Sequence, residues 1–532
     1  MRSAPSSAAD RLLPGPAAAV PLGLAVIALV VLPLFDLVRT TIDTAAGSVV
    51  DALDGEAIVN SLWTAFAAAA LATGIGVATA LAMTRRGRGS RAWHVAILLP
   101  LLVPPFVSAL AWSRAFGPGG LTDDLIGWTL PGLVGPVGIV IVLAVHAAPL
   151  VYLVAATALR TRARPELEWA ARVSGADAGQ AFRQITLPLL APAIAGAGLL
   201  AFVVSLNSFG IPAVLGVPAG FPTITTRIFG DLARSADPAA FHRVLLLSTV
   251  LMVLVLVAVA IAGLAMRRIG EGGSSASREP FPSPGASRPP IMLSGYLALT
   301  TLLPLIALVL TGLTRAAGLD PWPANWTLAN FAEAWQGDAW GAVTRTALLA
   351  ATAATAATAL GLLLALTRRR GSGVGLAAAA AFAVPGSALA VAVLLAYGPW
   401  LRDTVAIILI AYLAKFWALA HRAIAGSSAV VDRDAIRAAR SSGASGATSL
   451  RRVVLPMLRP ALVAAWVLVF LFGLHELTMS SLLYGPGTAT LAVVTLEVQQ
   501  LGDVTVTAAL AVLLTVPGIV AAVMMGQWRR ST

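Results

Sequence analysis

The 532-residue chain has no cysteine, which excludes disulfides, thiol nucleophiles and cysteine-built metal sites. Its single lysine, Lys415, follows Ala414, so a phosphate loop ending Gly-Lys-Ser/Thr is impossible. Five histidines are scattered without a His-x-x-x-His pair, and a metal cage built by this chain is not expected. Charged residues are only 11% of the sequence against 58% hydrophobic, a balance that no soluble globular class shows. Catalytic-triad spacings and paired catalytic carboxylates are also missing from the apolar runs, so the chain does not read as an enzyme.

What is present is apolar sequence in blocks. Twelve runs, at about 17–38, 58–83, 93–116, 136–159, 188–215, 241–266, 291–313, 341–366, 376–397, 405–423, 456–483 and 504–525, are predicted to span a bilayer. The fold class is therefore an all-α polytopic membrane protein. Arg2 and Arg11 precede the first run, which is too long for a signal peptide and lacks a clear cleavage site, so it is read as a retained span.

The net charge of +12 comes from arginines in short connections, and topology explains them better than nucleic acid does. Arg85, Arg86, Arg88 and Arg91, then Arg160, Arg162 and Arg164, then Arg267 and Arg268, fall on one side. Asp43, Asp51, Asp54, Glu56, Asp123, Asp124, Asp231 and Asp237 fall on the other. Positive charge marks the cytosolic side, which places both termini there. A Gly/Ser/Pro/Arg-rich stretch, 270–290, reads as a cytosolic linker between halves 1–269 and 291–532. Both halves run in the same direction, as parallel repeats of six spans do. Trp322, Trp326, Trp335 and Trp340 in the outer connection are read as interfacial anchors, with packing on a docking partner as the alternative.

The repeat is sharpest in two polar loops, about 160–188 and 424–456. Ala170-Ala171-Arg172, Gly175, Arg183 and Leu187-Pro188 recur as Ala438-Ala439-Arg440, Gly443, Arg451 and Leu455-Pro456, each 268 residues later. The pattern predicts two short helices hinged at a left-handed Gly, with Pro188 and Pro456 opening the next apolar helix. Glu168 and Asp434 lie near the start of the respective loops.

These loops resemble the Glu-Ala-Ala loop of binding-protein-dependent ABC importer permeases, the coupling helix that docks on the ATPase subunit. The family glutamate is replaced by Trp169 in one copy and Arg437 in the other. The resemblance implies a type I importer fold and a homodimeric ABC ATPase on the cytosolic side, which consumes ATP and magnesium. It also implies an extracytoplasmic substrate-binding protein, a bacterial inner-membrane location and no cofactor on this chain. Glu168, Ala170, Ala171, Arg172, Gly175, Arg183 and Pro188, with Ala438, Ala439, Arg440, Gly443, Arg451 and Pro456, would form the coupling surface.

Inside the runs, Asn207-Ser208 aligns with His475-Glu476 by the same offset. A carboxylate at the centre of a span costs roughly 2.5–3.5 kcal/mol, so Glu476 must face protein or water. These four residues are candidates for the pathway; packing near the outer mouth is the alternative. Prolines at 104, 105 and 385 are expected to break the third and ninth runs, lining a pore or kinking against a neighbour. Lys415 is a possible partner of Glu476, and His421 is read as snorkelling at the cytosolic end.

The stretches Asn207-Ser-Phe-Gly-Ile-Pro212 and Thr225-Thr-Arg-Ile228, with His475-Glu-Leu-Thr478 and Thr490-Leu-Ala-Val493, resemble iron(III) importer permeases. Fused permeases for thiamine and aminophosphonates share the architecture. The rival from another class is a proton-coupled secondary transporter using Glu476, His475 and Lys415 as a relay.

Overall fold

The computed structural model describes residues 16–44, 54–85, 91–163, 165–235, 237–270, 291–335, 339–366, 374–428 and 433–531. Arg2, Arg11, Asp51, Arg86, Arg88, Arg164, the arginines 368–370 and the linker from 271 lie outside them. Among the described residues nine helices are long and apolar enough to cross a membrane, and two bent pairs raise this to eleven. The last predicted run falls on helix Val504–Ser531, of which Val504–Val520 is a further, shorter apolar helix among the described residues.

Both bent pairs are made by proline. Helix Arg91–Leu102 turns by 101° into Pro105–Phe116, and Val374–Ala383 turns by 101° into Gly386–Leu401. Pro104 (φ −54°, ψ 139°) and Pro385 (φ −57°, ψ 137°) hold the corners in nearly the same extended conformation. At the first corner the following Pro105 disfavours helical geometry for Pro104, so the helix must restart rather than continue.

Proline also explains four widened turns. The π-helical segments Ile27–Val31, Phe182–Thr186, Ala298–Leu302 and Leu450–Val454 each end immediately before a Leu-Pro pair, closed by Pro33, Pro188, Pro304 and Pro456. A proline inside an α-helix lacks its N–H and its ring collides with the carbonyl four residues back. An i→i+5 turn shifts that carbonyl and removes the collision.

The expectation that Pro188 and Pro456 open new helices is corrected by this arrangement. The fifth and eleventh spans begin earlier, at Ala178 and Gly446, and run through the π turns without interruption. They also end earlier than predicted, at Leu206 and Leu474, because the chain breaks at the polar pairs and restarts as Gly210–Leu215 and Thr478–Leu483.

The packing units cut across the sequence repeat. One comprises 1–49 with 338–494, the other 50–337 with 495–532. In the first, helix Leu32–Thr44 packs on Gly386–Leu401, and the Tyr397 hydroxyl donates to the Ala28 carbonyl at 2.6 Å. In the second, Leu303–Leu313 packs on Pro105–Phe116 and Val504–Ser531, and Trp112 Nε1 donates to the Thr300 carbonyl at 3.2 Å.

Each unit is centred on a close helix pair, Gly55–Arg85 with Pro136–Thr161 and Ala339–Leu366 with Val405–Ser428. Gly76 and Gly361 make the approach possible: a Cβ at Gly76 would lie 2.8 Å from the Ala148 carbonyl oxygen, and one at Gly361 2.7 Å from the His421 nitrogen. Without a hydrophobic drive between helices in lipid, such small-residue contacts carry the association.

Candidate functional site

The two polar loops fold alike. Helix Pro165–Val173 ends at Gly175, whose φ of +97° is left-handed, and Arg433–Ser441 ends at Gly443 with φ +82°. The Ala176 N–H donates to the Ala171 carbonyl at 3.0 Å, and the Ala444 N–H donates to Ala439 at 3.1 Å. These six-residue closures are the cap that a left-handed C′ glycine permits. Even the hydroxyls match: Ser174 Oγ donates to the Ala170 carbonyl at 2.9 Å and Ser442 Oγ to Ala438 at 3.0 Å.

The next short helix starts on a polar cap in both loops. Asp177 Oδ1 accepts from the Gly179 and Gln180 N–H groups at 2.7 and 2.9 Å, and Gln180 returns a bond to the Asp177 N–H. Ser445 Oγ accepts from the Thr448 N–H at 3.2 Å. Arg172, Arg183, Pro188, Arg451 and Pro456 are exposed, as are Ala170 and Ala438, while Ala171 and Ala439 are half-buried. The side chain of Arg440 lies outside the described residues.

The clamp holding each loop helix to its span differs. In the first loop Thr186 Oγ1 donates to the Glu168 carboxylate. The residues 268 further on are Ile436 and Val454, and Ile436 packs on the apolar cluster of Leu366, Val454 and Leu458. Glu168 thus turns inward to a threonine, a role that the loop pattern alone did not reveal. Thr186 against Val454 in the aligned copies was the available signal.

The polar pairs Asn207-Ser208 and His475-Glu476 each occupy a break between a long helix and a six-residue helix. At the first break the Ser208 carbonyl accepts from Thr225 Oγ1 at 2.9 Å, while Asn207 Oδ1 and Ser208 Oγ are buried without a hydrogen-bond partner among the described residues. At the second, Glu476 Oε2 accepts from the Met479 and Ser480 N–H groups at 2.8 and 3.1 Å, and so caps the restarting helix. Tyr412, buried beneath it, shares a 2.7 Å hydrogen bond with Ser480 Oγ.

Lys415 does not form a direct ion pair with Glu476. Its Nζ donates to the Val384 carbonyl at 3.3 Å, one residue before the Pro385 corner, and lies within electrostatic reach of Glu476. His146 does the same work at the other corner by hydrogen bonding to the backbone of Pro100, where only the carbonyl is available. Each proline corner frees helix carbonyls, and a polar side chain from the neighbouring span meets one of them. His421 is buried with Nδ1 3.3 Å from the Gly361 carbonyl, so it does not snorkel.

The restarting helices lead into hairpins secured twice over. Asn60 Nδ2 donates to the Pro222 carbonyl at 3.0 Å and Ser61 Oγ accepts from the Ile224 N–H at 2.8 Å. Arg345 Nε and Thr346 Oγ1 make the same two bonds with Ala489 and Leu491, at 3.1 and 2.8 Å. In the first half three of the expected outer carboxylates are tied down: Arg227 lies 2.8 Å from Asp54, and Arg243 reaches Asp231 at 3.0 Å and Asp237 at 3.6 Å.

A duplicated helical membrane unit, with matched capped loops on its arginine-rich side and matched proline corners and helix breaks within its spans, is the architecture of a permease. The chain belongs to the family described as binding-protein-dependent transport system inner membrane component, whose model matches residues 70–270 and again 357–530. Both matches begin after the opening span of their half.

Among curated relatives, the Haemophilus influenzae protein named "Putative ferric transport system permease protein FbpB 1" is 26% identical over 70% of this chain and 61% of its own length. The "Ferric transport system permease protein FbpB" of Actinobacillus pleuropneumoniae is 25% identical over 70% of this chain and 56% of its own. The chain thus matches about three-fifths of the length of these relatives. The "Molybdenum transport system permease protein ModB" of Mycobacterium tuberculosis is 34% identical over 38% of this chain and 77% of its own length.

Proposed function

We propose that this chain is the fused permease of an ATP-driven importer, with iron(III) as its cargo. The observation that carries the reading is the loop built twice: the same left-handed glycine, the same caps and the same exposed alanine on helices 165–173 and 433–441. One backbone form made at two places in one chain suits two copies of one partner. That partner is a homodimeric cytosolic ATPase, which supplies the ATP chemistry, while a substrate-binding protein delivers cargo on the outer face. Both termini are cytosolic in this reading.

Closure of the ATPase dimer acts on both loops. The continuous helices from Ala178 and Gly446 then carry that movement to the breaks at Asn207-Ser208 and His475-Glu476. A helix without a joint between loop and span transmits displacement; a break at its far end is where the chain yields. Those four residues line the pathway in this reading, and cargo crosses without chemical change.

Iron is favoured by the two ferric-named relatives that match over 70% of this chain, and an oxyanion is the second reading because the molybdenum-named relative shares higher identity over a shorter stretch. Thiamine or an aminophosphonate would use the same architecture. The test is uptake of radioiron by proteoliposomes holding this chain with the ATPase and binding protein encoded beside it, with and without internal ATP. ATP-dependent iron accumulation is the expected result. Uptake of molybdate in place of iron would move the assignment to the oxyanion. Accumulation that follows the proton gradient and ignores ATP would overturn the importer reading in favour of a secondary transporter.

A further inference from the structure

The two loop helices share a frame but differ in chemistry. On the outward face of helix Pro165–Val173 stand Glu166, Trp169, Ala170 and Val173, all exposed. At the matching places of Arg433–Ser441 stand Asp434, Arg437, Ala438 and Ser441, also exposed. The acid of the first turn and the small central residue are kept. The other two positions, one turn apart on the helix, change from Trp169 and Val173 to Arg437 and Ser441.

The difference is large for nine residues. Trp169 is 59% exposed and Val173 89%, an apolar pair at i,i+4 on the cytosolic side. Arg437 reaches Asp434 at 3.1 Å, both largely exposed. The first helix carries two carboxylates against one guanidinium, net −1, and the second three guanidiniums against one carboxylate, net +2. An exposed Trp is an interface anchor whose apolar face Val173 extends, and a net cationic helix has the composition of a charge-steered contact.

We infer that the two loops grip the ATPase by different means: the first through insertion of Trp169 and Val173 into an apolar slot, the second through attraction of its arginines to an acidic rim of the same kind of groove. This rests on the importer reading above. The shared acid, alanine and glycine cap require one groove shape, so the occupants are two copies of one ATPase subunit whose groove offers both slot and rim. The loops are therefore unequal in salt response. Charge attraction between exposed groups fades as the screening length falls from roughly 14 Å near 0.05 M salt to about 4 Å near 0.5 M, whereas apolar insertion does not.

The cysteine-free chain makes the test clean. Matched single-cysteine reporters, Ser174→Cys and Ser442→Cys, carry an environment-sensitive fluorophore in nanodiscs, and the ATPase encoded beside this chain is titrated in at both salt concentrations. The Ser442→Cys reporter is expected to lose its response as salt rises while the Ser174→Cys reporter keeps it. Trp169→Ala should weaken binding at the first reporter by about tenfold or more at both salts, as loss of an interface anchor does, with Trp169→Phe retaining most of it. Arg437→Ala should weaken the second reporter at low salt only.

Release of both reporters at the same salt, or indifference to Trp169→Ala, would overturn the inference while leaving the importer reading in place. Quenching of the Ser174→Cys reporter by brominated lipid before ATPase is added would also overturn it, because the Trp169 face would then be seated in the membrane. ATPase that protects neither reporter removes the importer reading itself.

Discussion

The two helix breaks hold the same place in the repeat and solve the same problem with opposite chemistry. At Glu476 a carboxylate accepts two N–H groups of the restarting helix, Tyr412 braces Ser480 from below, and Lys415 sits close by on the Val384 carbonyl. At Asn207-Ser208 there is no charge, and two buried side-chain oxygens have no hydrogen-bond partner among the described residues. The second break is built from charged groups that satisfy backbone; the first leaves polar atoms in reserve. Duplication conserved the joint and released the side chains at it, since the corner prolines and the Asn60/Arg345 and Ser61/Thr346 anchors hold the backbone in both halves.

The contrast can be broken most forcefully at Glu476. Glu476→Ala removes two charge-assisted bonds at once, and thermal unfolding in nanodiscs is expected to register a loss of about 3 kcal/mol or more. Lys415→Met should cost less, about 1–3 kcal/mol, by leaving the Val384 carbonyl without its donor. The double variant Lys415→Met/Glu476→Ala should lose less than the sum of those two single variants, because the groups feel one another's charge.

A smaller effect sharpens the same comparison at the loops. Thr186→Val should destabilise by about 1 kcal/mol through loss of its bond to Glu168, yet adding Glu168→Ile to it should return stability to within about 0.5 kcal/mol of the parent. That pair reproduces the Ile436 and Val454 clamp of the second loop. Equal losses in the single and double variants would show that the two clamps are not interchangeable. The smallest change is expected from Ser208→Ala, within about 0.5 kcal/mol in stability, since its hydroxyl has no hydrogen-bond partner among the described residues. Measured uptake should fall in that variant if the oxygen serves the pathway.

Much of this was legible in the chain. The apolar runs mark the spans, the Gly175 and Gly443 positions read correctly as left-handed ends, and the prolines at 104 and 385 mark both corners. The breaks after Leu206 and Leu474 were not, because hydropathy averages a polar pair into its apolar surroundings and periodicity cannot see a helix restart within the same run. Prolines 188 and 456 misled for a related reason. A helix start and a widened turn both accommodate a ring without an N–H, and only the backbone tells them apart. Lys415 and His146 show a third limit: their partners are carbonyls, which every residue has and no sequence advertises.

The widened turns at Phe182–Thr186 and Leu450–Val454 also act as gear settings. A turn that takes one residue more than an α-turn offsets the phase of everything before it by about 100° relative to the span that follows. The direction in which each short helical segment is delivered to its loop helix is thus set by one surplus residue next to a proline. Removing Gln184 from the first turn would rotate the Asp177 cap by roughly 100° about the span axis while leaving the apolar composition of the membrane segment untouched. Orientation in these loops is encoded by residue count, and a single deletion there would act as a change of aim.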